Sequence, residues 1–182
     1  MILSLDCSTT CIGWAVFEGD DLIEYGKLEP TVAKLDWKSR IENLLPQVDE
    51  LIDKYKPTKI YQEQVPMGGK GGNLVLSQLF YLQGALSVVE SIINKIPVEY
   101  IEVATWRHNV NISSGDKHRD SKKIKSIEKA NELFGLNLAY ELTKGGNYKS
   151  GDDDCSDAIL IYASTREKYR KPLVFGKRRR IS

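Results

Sequence analysis

A short apolar run at the start of the chain ends in a carboxylate, and a second apolar run follows almost at once. Residues 2–5 read Ile-Leu-Ser-Leu, Asp6 follows, and the small-residue segment 7–10 leads into residues 11–18. This pattern predicts a buried strand ending in Asp6, a tight turn and a second, paired strand. Because α/β proteins place their sites at the C-terminal ends of such strands, Asp6 is the first candidate functional residue.

The remaining pattern predicts one α/β domain over residues 1–170 and a basic tail over 171–182. Apolar spacing and Gly/Pro breaks predict a mixed five-stranded sheet flanked by α-helices. Pro46 is expected to kink or break the first helix, and Gly135 to end a later one. The predicted strands are 2–6, 11–18, 21–28, 59–63 and 98–103; the predicted helices are 37–55, 74–94, a short one near 104–108, 120 or 121–134, and 152–168.

Composition limits the classes of protein that the chain can be. Hydrophobic residues make up 41% and charged residues 28% of its 182 residues, as in ordinary globular proteins. We see no continuous apolar run of about 18–20 residues and therefore expect no membrane segment. The three cysteines lack zinc-finger spacing, which favours a reduced, cytoplasmic setting.

Charge is distributed unevenly along the sequence. Residues 1–103 carry 9 Lys/Arg and 15 Asp/Glu, whereas residues 104–182 carry 17 and 10. Four of the acids in the second half lie in one cluster, Asp152–Asp157, so the rest of that half is strongly basic. An acidic spot within a basic field suits a polyanion bound beside a metal ion. A solvated helix face and a disordered basic tail are the alternative interpretation.

Two further acidic places complement Asp6. Glu63 ends a predicted strand, and Asp154 and Asp157 share a helix face because they lie three residues apart; Asp153 would share that face nearly as well. Carboxylates without histidine or thiolate favour magnesium or manganese. Two such ions activate a water and stabilise the leaving oxygen in phosphodiester hydrolysis. Alternatively, the aspartates merely complement the dipole of a helix N-terminus.

The three acidic segments resemble the motifs of RuvC-type Holliday-junction resolvases, which are RNase H-like nucleases. The segments are Leu3-Ser-Leu-Asp6, Ile60-Tyr-Gln-Glu63-Gln-Val and Asp154-Cys-Ser-Asp157-Ala-Ile-Leu, and the chain is similar to the phage or viral branch. The resemblance implies that Asp6, Glu63, Asp154 and Asp157 are catalytic ligands of two Mg²⁺ ions per site, with Mn²⁺ able to substitute. It also implies a homodimer that makes paired nicks in four-way junction or branched DNA.

The resemblance has two departures. Bacterial members have Asp-Pro-Gly where this chain has Asp6-Cys-Ser-Thr, and an aromatic wedge where it has Gln64-Val-Pro66-Met67 before a glycine-rich loop. Met67 remains a candidate for contact with a base step. Further nucleic-acid contacts are expected from Arg107, Lys122, Lys123 and Lys125, although a solvated helix face explains each lysine equally well. Helix 74–94 is either the dimer interface or buried against its own sheet.

Three rival functions are weighed against this interpretation. Residues 6–13 also resemble the phosphate loop of sugar-kinase and actin-like ATPases, but the chain lacks their second domain and second loop. A binding protein that has lost catalysis would lack one of the acids. A nuclease of the same fold acting on other branched DNA or on RNA–DNA hybrids stays open.

Overall fold

The computed structural model describes residues 1–32, 34–66, 73–112 and 119–170. Within them lie seven strands and five α-helices. The strands are β1 (Ile2–Cys7), β2 (Ile12–Glu18), β3 (Asp21–Leu28), β4 (Lys59–Glu63), β5 (Val98–Ile101), β6 (Tyr140–Leu142) and β7 (Tyr148–Gly151). The helices are α1 (Trp37–Tyr55), α2 (Asn73–Ser87), α3 (Val103–Asn109), α4 (Arg119–Phe134) and α5 (Asp153–Ala163). Their order along the chain is β1-β2-β3-α1-β4-α2-β5-α3-α4-β6-β7-α5.

The predicted mixed five-stranded sheet is confirmed. Its order is β3-β2-β1-β4-β5, with β1, β2 and β3 pairing as an antiparallel meander. β1 and β4 pair in parallel, as do β4 and β5. Because α1 connects β1–β3 to β4, and α2 connects β4 to β5, the parallel part of the sheet follows the usual crossover pattern.

Each face of the sheet is covered by helices. Strand alternation sends Leu3, Leu5 and Ile60 into a core shared with α1 and α2. The opposite side of the sheet contributes Ala15 and Phe17 to a second core with α3, α4 and α5. The molecule is therefore three layers deep, and side chains one residue apart on a strand enter different layers.

α1 forms as the apolar spacing predicts, but it is not broken at Pro46. Asp36 caps it, its carboxylate accepting from the backbone N–H groups of Lys38 and Ser39 at 2.9 and 3.2 Å. Buried residues lie on both sides of the proline, among them Leu44 and Val48, and pack into the same core. This packing offsets the backbone hydrogen bond that proline cannot donate. Of the two predicted effects of Pro46, the break was wrong, and the kink stays a prediction.

The predicted helix 74–94 is α2 continued by a π-helical turn, Val88–Ile93. By length and composition, residues Leu74–Ile93 are apolar enough to cross a membrane, the one such helix among those described. The sequence expectation missed it because scattered polar residues interrupt the run. The helix packs on the sheet through buried Leu82 and Leu86 and exposes its other face, so we interpret it as part of this α/β domain.

The C-terminal part departs from the sequence prediction in two ways. The final helix ends at Ala163 and is followed by a 3₁₀ turn, Glu167–Tyr169, so the predicted helix 152–168 was too long. The antiparallel hairpin β6–β7 was not predicted at all, because strands of three and four residues carry almost no periodicity. Met67, the core of the glycine loop, residues 113–118 and the tail from 171 lie outside the described residues.

Candidate active site

Two neighbouring strands deliver the first two carboxylates. β1 and β4 run in parallel with Leu5 opposite Gln62, so Asp6 and Glu63 follow at the same end of the sheet. Leu5 faces the α1–α2 core, and alternation therefore turns Asp6 and Glu63 towards α5. The backbone register thus brings these two strand ends together, as the sequence predicts.

The first two turns of α5 add Asp154 and Asp157 to the same end of the sheet. The helix reaches this position because β2 carries a glycine, Gly13, directly opposite Asp6. A Cβ atom built on Gly13 would lie 2.0 Å from the carbonyl oxygen of Asp154. No side chain can occupy that space, so Gly13 is what allows the helix start to lie against the strands.

The four carboxylates line one cleft of about 460 Å³. The cleft also includes small residues of the β1–β2 turn, Leu79 from α2 and two cations. The turn is closed by Ser8, whose hydroxyl accepts from the N–H of Cys11 at 3.1 Å and donates to its carbonyl at 2.8 Å. The side chains that line the cleft are Asp6, Cys7, Ser8, Thr10, Cys11, Glu63, Leu79, Arg107, Lys123, Asp153, Asp154 and Asp157.

The carboxylates repel one another. Burial first, and then the charges of Glu63, Asp157 and Asp154, hold the pKa of Asp6 well above its usual range. Burial and the charge of Asp157 raise the pKa of Glu63 to about 7. For Asp157, burial outweighs the nearby Arg107 and raises the pKa to about 6. Such mutual elevation means that the cleft favours a bound positive charge, whether proton or metal ion.

The three consecutive aspartates have different surroundings. Asp152 accepts from the N–H of Ala139 at 3.0 Å and pairs with Lys27 at 3.3 Å. Asp153 accepts hydrogen bonds from Lys123 and from the Tyr148 hydroxyl, which outweigh its burial and lower its pKa. Burial and the charge of Asp153 instead raise the pKa of Asp154. Of the three, Asp154 is the one whose negative charge is least compensated.

Two residues of α3 hold the carboxylates in place. The indole Nε1–H of Trp106, which is fully buried, donates to Glu63 Oε2 at 2.9 Å. Arg107 Nη2 lies 3.3 Å from Asp157 Oδ2, and its guanidinium stacks 4.8 Å from the centre of the Trp106 ring. Trp106 is therefore a core residue.

The side chains that line the cleft have the donor atoms that a hard divalent cation prefers. All the principal donors are carboxylate oxygens, and the buried Asp157 Oδ1 has no hydrogen-bond partner among the described residues. Within that same part of the chain, no three His, Cys, Asp or Glu side chains stand close enough together to ligate one ion as placed. The donor set suits magnesium or manganese, and the carboxylates would have to draw together around the ion.

The predicted nucleic-acid contacts divide into three groups. Arg107 and Lys123 line the cleft beside the carboxylates. Lys122 and Lys125 lie partly buried on α4 and are not among the described residues that line it; Lys125 borders a separate hollow with Glu128. Met67 lies outside the described residues. Their roles, like those of the four carboxylates, stay predictions.

Two contributors to the site were missed at the sequence level. Gly13 lies inside a predicted strand, where an isolated glycine signals a close backbone approach. Trp106 gave no comparable signal, because its bond to Glu63 joins residues far apart in the sequence.

Comparison with known proteins finds solved structures with a similar fold. No family model matches the chain, and neither does any curated protein. Among solved structures, RuvC of Thermus thermophilus in complex with a Holliday junction substrate is 16% identical with a TM-score of 0.64, over 94% of this chain and 98% of that one. The yeast mitochondrial Holliday junction resolvase Ydc2 is 16% identical with a TM-score of 0.54, over 90% and 76%. The chain has the RuvC-type resolvase fold.

Proposed function

We propose that this chain, whose fold is that of the RuvC-type resolvases, is a magnesium-dependent endonuclease that cuts four-way DNA junctions. The observation that carries the proposal is the convergence of Asp6, Glu63, Asp154 and Asp157 on one cleft. Their elevated pKa values are those of a site built to hold positive charge. We include a cytoplasmic setting, the host's if the gene is viral, in this proposal.

The four carboxylates would hold two Mg²⁺ ions, and Mn²⁺ would substitute. Asp6, whose pKa is raised by the charges of the other three carboxylates, would be one of the ligands. Bound ions would supply an activated water and would neutralise charge on the leaving oxygen of a phosphodiester. Trp106 orients Glu63 through its 2.9 Å hydrogen bond, and Arg107 orients Asp157.

Two cations in the cleft suit the DNA backbone. The Arg107 guanidinium stacks on buried Trp106, which keeps its donors directed at the carboxylate side of the cleft. Lys123 lies over the Tyr148 ring at 5.0 Å while paired with Asp153. A phosphate entering beside the metal ions would be met by both donors, which stabilises the extra negative charge of the transition state.

The exposed face of α2 and its π-helical turn is the proposed dimer interface. We call this surface the outer stripe. It consists of exposed apolar side chains at helical spacing, and the small residues Ser77 and Gly84 lie between them. A second copy packed on this face would bury it and would relate two clefts by two-fold symmetry, as a four-way junction requires. The large members of the outer stripe and their exposed fractions are Leu74 69%, Tyr81 63%, Val88 45% and Ile92 69%.

Cleavage of a labelled synthetic four-way junction tests the proposal. Linear duplex, a replication fork and an RNA–DNA hybrid are run in parallel, each with Mg²⁺ or with EDTA. We expect paired symmetric nicks in the junction that require Mg²⁺ and disappear in Asp6→Asn. The matched control is Asp20→Asn, which changes an acid at the far end of β2. Equal cutting of forks, or cutting of the hybrid alone, would reassign the substrate, and no cutting at all would refute the nuclease.

The dimer is tested separately by Ile92→Asp. Placing a charge on the outer stripe should convert the protein to a monomer in sedimentation velocity, while its circular dichroism stays unchanged. Glu99→Asp, an exposed change on β5, is the control. A wild-type protein that sediments as a monomer at micromolar concentration contradicts the dimer.

A further inference from the structure

Three polar side chains lie on the sheet-facing side of the helix that carries the outer stripe. Gln83, Ser87 and Glu90 are spaced by four and three residues and so share one face. We call them the polar stripe. They alternate with buried Leu82 and Leu86 on the side of the helix that packs into the core. Polar side chains in such a position need hydrogen-bond partners.

The partners of the polar stripe bracket Glu63. Gln62, the residue before it, donates through its amide Nε2 to a carboxylate oxygen of Glu90. Val65, two residues after it, donates its backbone N–H to the side-chain oxygen of Gln83 at 3.2 Å. The helix therefore contacts the β4 chain immediately before and shortly after the position that delivers Glu63 to the cleft.

A third contact ties the same helix to the neighbouring strand. The hydroxyl groups of Ser87 and Tyr100 lie 2.7 Å apart, and Tyr100 is paired with Gln62 across β4 and β5. Polar contacts at three successive positions fix the register of the helix against the end of the sheet more precisely than apolar packing does.

Glu90 is the least expected member of the polar stripe. Its side chain is 0% exposed, and its Oε2 has no hydrogen-bond partner among the described residues. It also lies in the π-helical turn Val88–Ile93, a conformation that concentrates at functional positions. An apolar side chain of similar size would pack there without burying a carboxyl group. The hydrogen bond from Gln62 is therefore the contact that can explain a carboxyl group at this position.

We infer that Glu90 is a positioning residue for Glu63. Through Gln62 it fixes the end of β4, where alternation turns Gln62 towards the helix and Glu63 towards the cleft. Glu63 then stands at the same place relative to Asp6 before any ion arrives. This inference rests on the proposed metal-dependent function, and it makes the metal affinity of the cleft depend on a carboxyl group on the opposite face of the sheet.

The test measures binding of Mn²⁺ by isothermal titration calorimetry, with no DNA present. Glu90→Leu removes the bond to Gln62 and should weaken Mn²⁺ binding by about 10-fold or more, the usual effect of losing a residue that orients a ligand. Its Mg²⁺ requirement for junction cleavage should rise in parallel, and its folding stability should fall, because the buried Gln62 amide loses its acceptor.

Rescue separates positioning from mere packing. Glu90→Gln keeps an acceptor for Gln62, and the exchange Gln62→Glu with Glu90→Gln rebuilds the bond with its polarity reversed; both should restore Mn²⁺ affinity to within about threefold of wild type. Ile96→Val is the matched control, since it removes a buried methyl group at the same end of the helix without touching β4 polar groups.

Each outcome decides the inference. Wild-type Mn²⁺ affinity in Glu90→Leu overturns it, as does an equal loss of affinity in Ile96→Val. If Glu90→Leu does not fold, Gln62→Leu breaks the same bond from the other side and is read in the same way. A wild-type protein that binds Mn²⁺ but cuts no junction refutes the proposed function, while the affinities still decide the role of Glu90. A wild-type protein that binds no Mn²⁺ refutes both.

Discussion

Neutralising Glu63 should stabilise the metal-free protein even though it removes one of the proposed metal ligands. The folded state favours the protonated form of this carboxyl, because burial and Asp157 raise its pKa to about 7 from the ordinary 4.5. The resulting loss of stability is absent below about pH 4.5 and develops as the pH rises through about 7. At pH 8 the gap in pKa corresponds to about 3 kcal/mol.

Glu63→Gln removes the charge and keeps an oxygen that can accept from Trp106 Nε1. Because water reaches the cleft and screens part of the repulsion, we expect a gain of about 1–3 kcal/mol in the free energy of unfolding at pH 8 in EDTA. At pH 4.5 the gain should fall below about 0.5 kcal/mol, since the wild-type carboxyl is then neutral in the fold. Glu102→Gln, an exposed change at the start of α3, should leave the free energy of unfolding unchanged at both pH values.

The assay is urea unfolding followed by circular dichroism at one fixed protein concentration, because unfolding of a dimer depends on concentration. Excess Mg²⁺ should reverse the order, stabilising wild type more than Glu63→Gln, because the variant lacks one ligand charge. If the variant is no more stable than wild type at pH 8 in EDTA, the four carboxylates do not repel one another and the metal-site argument fails.

Three further predictions concern the same cleft. Gly13→Ala forces the carbonyl of Asp154 away from a 2.0 Å contact, and should lower junction cleavage at least about 10-fold and stability by about 1–3 kcal/mol; Gly145→Ala, whose added carbon meets only ordinary contacts of 3.9 and 4.0 Å, should lower neither. Trp106→Phe removes a hydrogen bond that lowers the pKa of Glu63, so the acidic limb of the pH–rate profile should move to higher pH at subsaturating Mg²⁺; an unmoved limb contradicts this. Asp154→Asn should reduce cleavage by about 100-fold or more with junction binding retained in a gel-shift assay, and wild-type cleavage would remove Asp154 from the ligand set.

Much of the fold was predictable because its signals are local. The apolar runs and the turn chemistry at Gly19 located the meander, and Gly135 ends α4 with a positive φ of 64°, as the sequence predicted. Asp6 and Glu63 could be brought together because the parallel order of two strands fixes where their ends meet. Each of these strands, turns and helix ends has its cause within one short window of sequence, and the meeting of Asp6 with Glu63 needs only the parallel order of two such strands.

The parts that could not be predicted depend on distant partners. The three aspartates 152–154 look equivalent in the sequence, and only Lys27, Lys123 and Tyr148 distinguish them in the fold. Glu90 reads as an interruption of an apolar helix until Gln62 is placed beside it. Pairings of this kind join residues with no common local pattern, so no window of the sequence contains them.

The helix that brings Asp154 and Asp157 is the last α-helix described in the chain, and this has a consequence for biosynthesis. β1, β2 and β3 can form as soon as they leave the ribosome, because their contacts are between neighbours in sequence. α5 docks on β1, β2 and β4, so the cleft cannot close until residues 153–163 have been synthesised. A nascent chain that has not yet reached α5 carries two of the four carboxylates and no assembled centre, so under the proposed function it would have no nuclease activity.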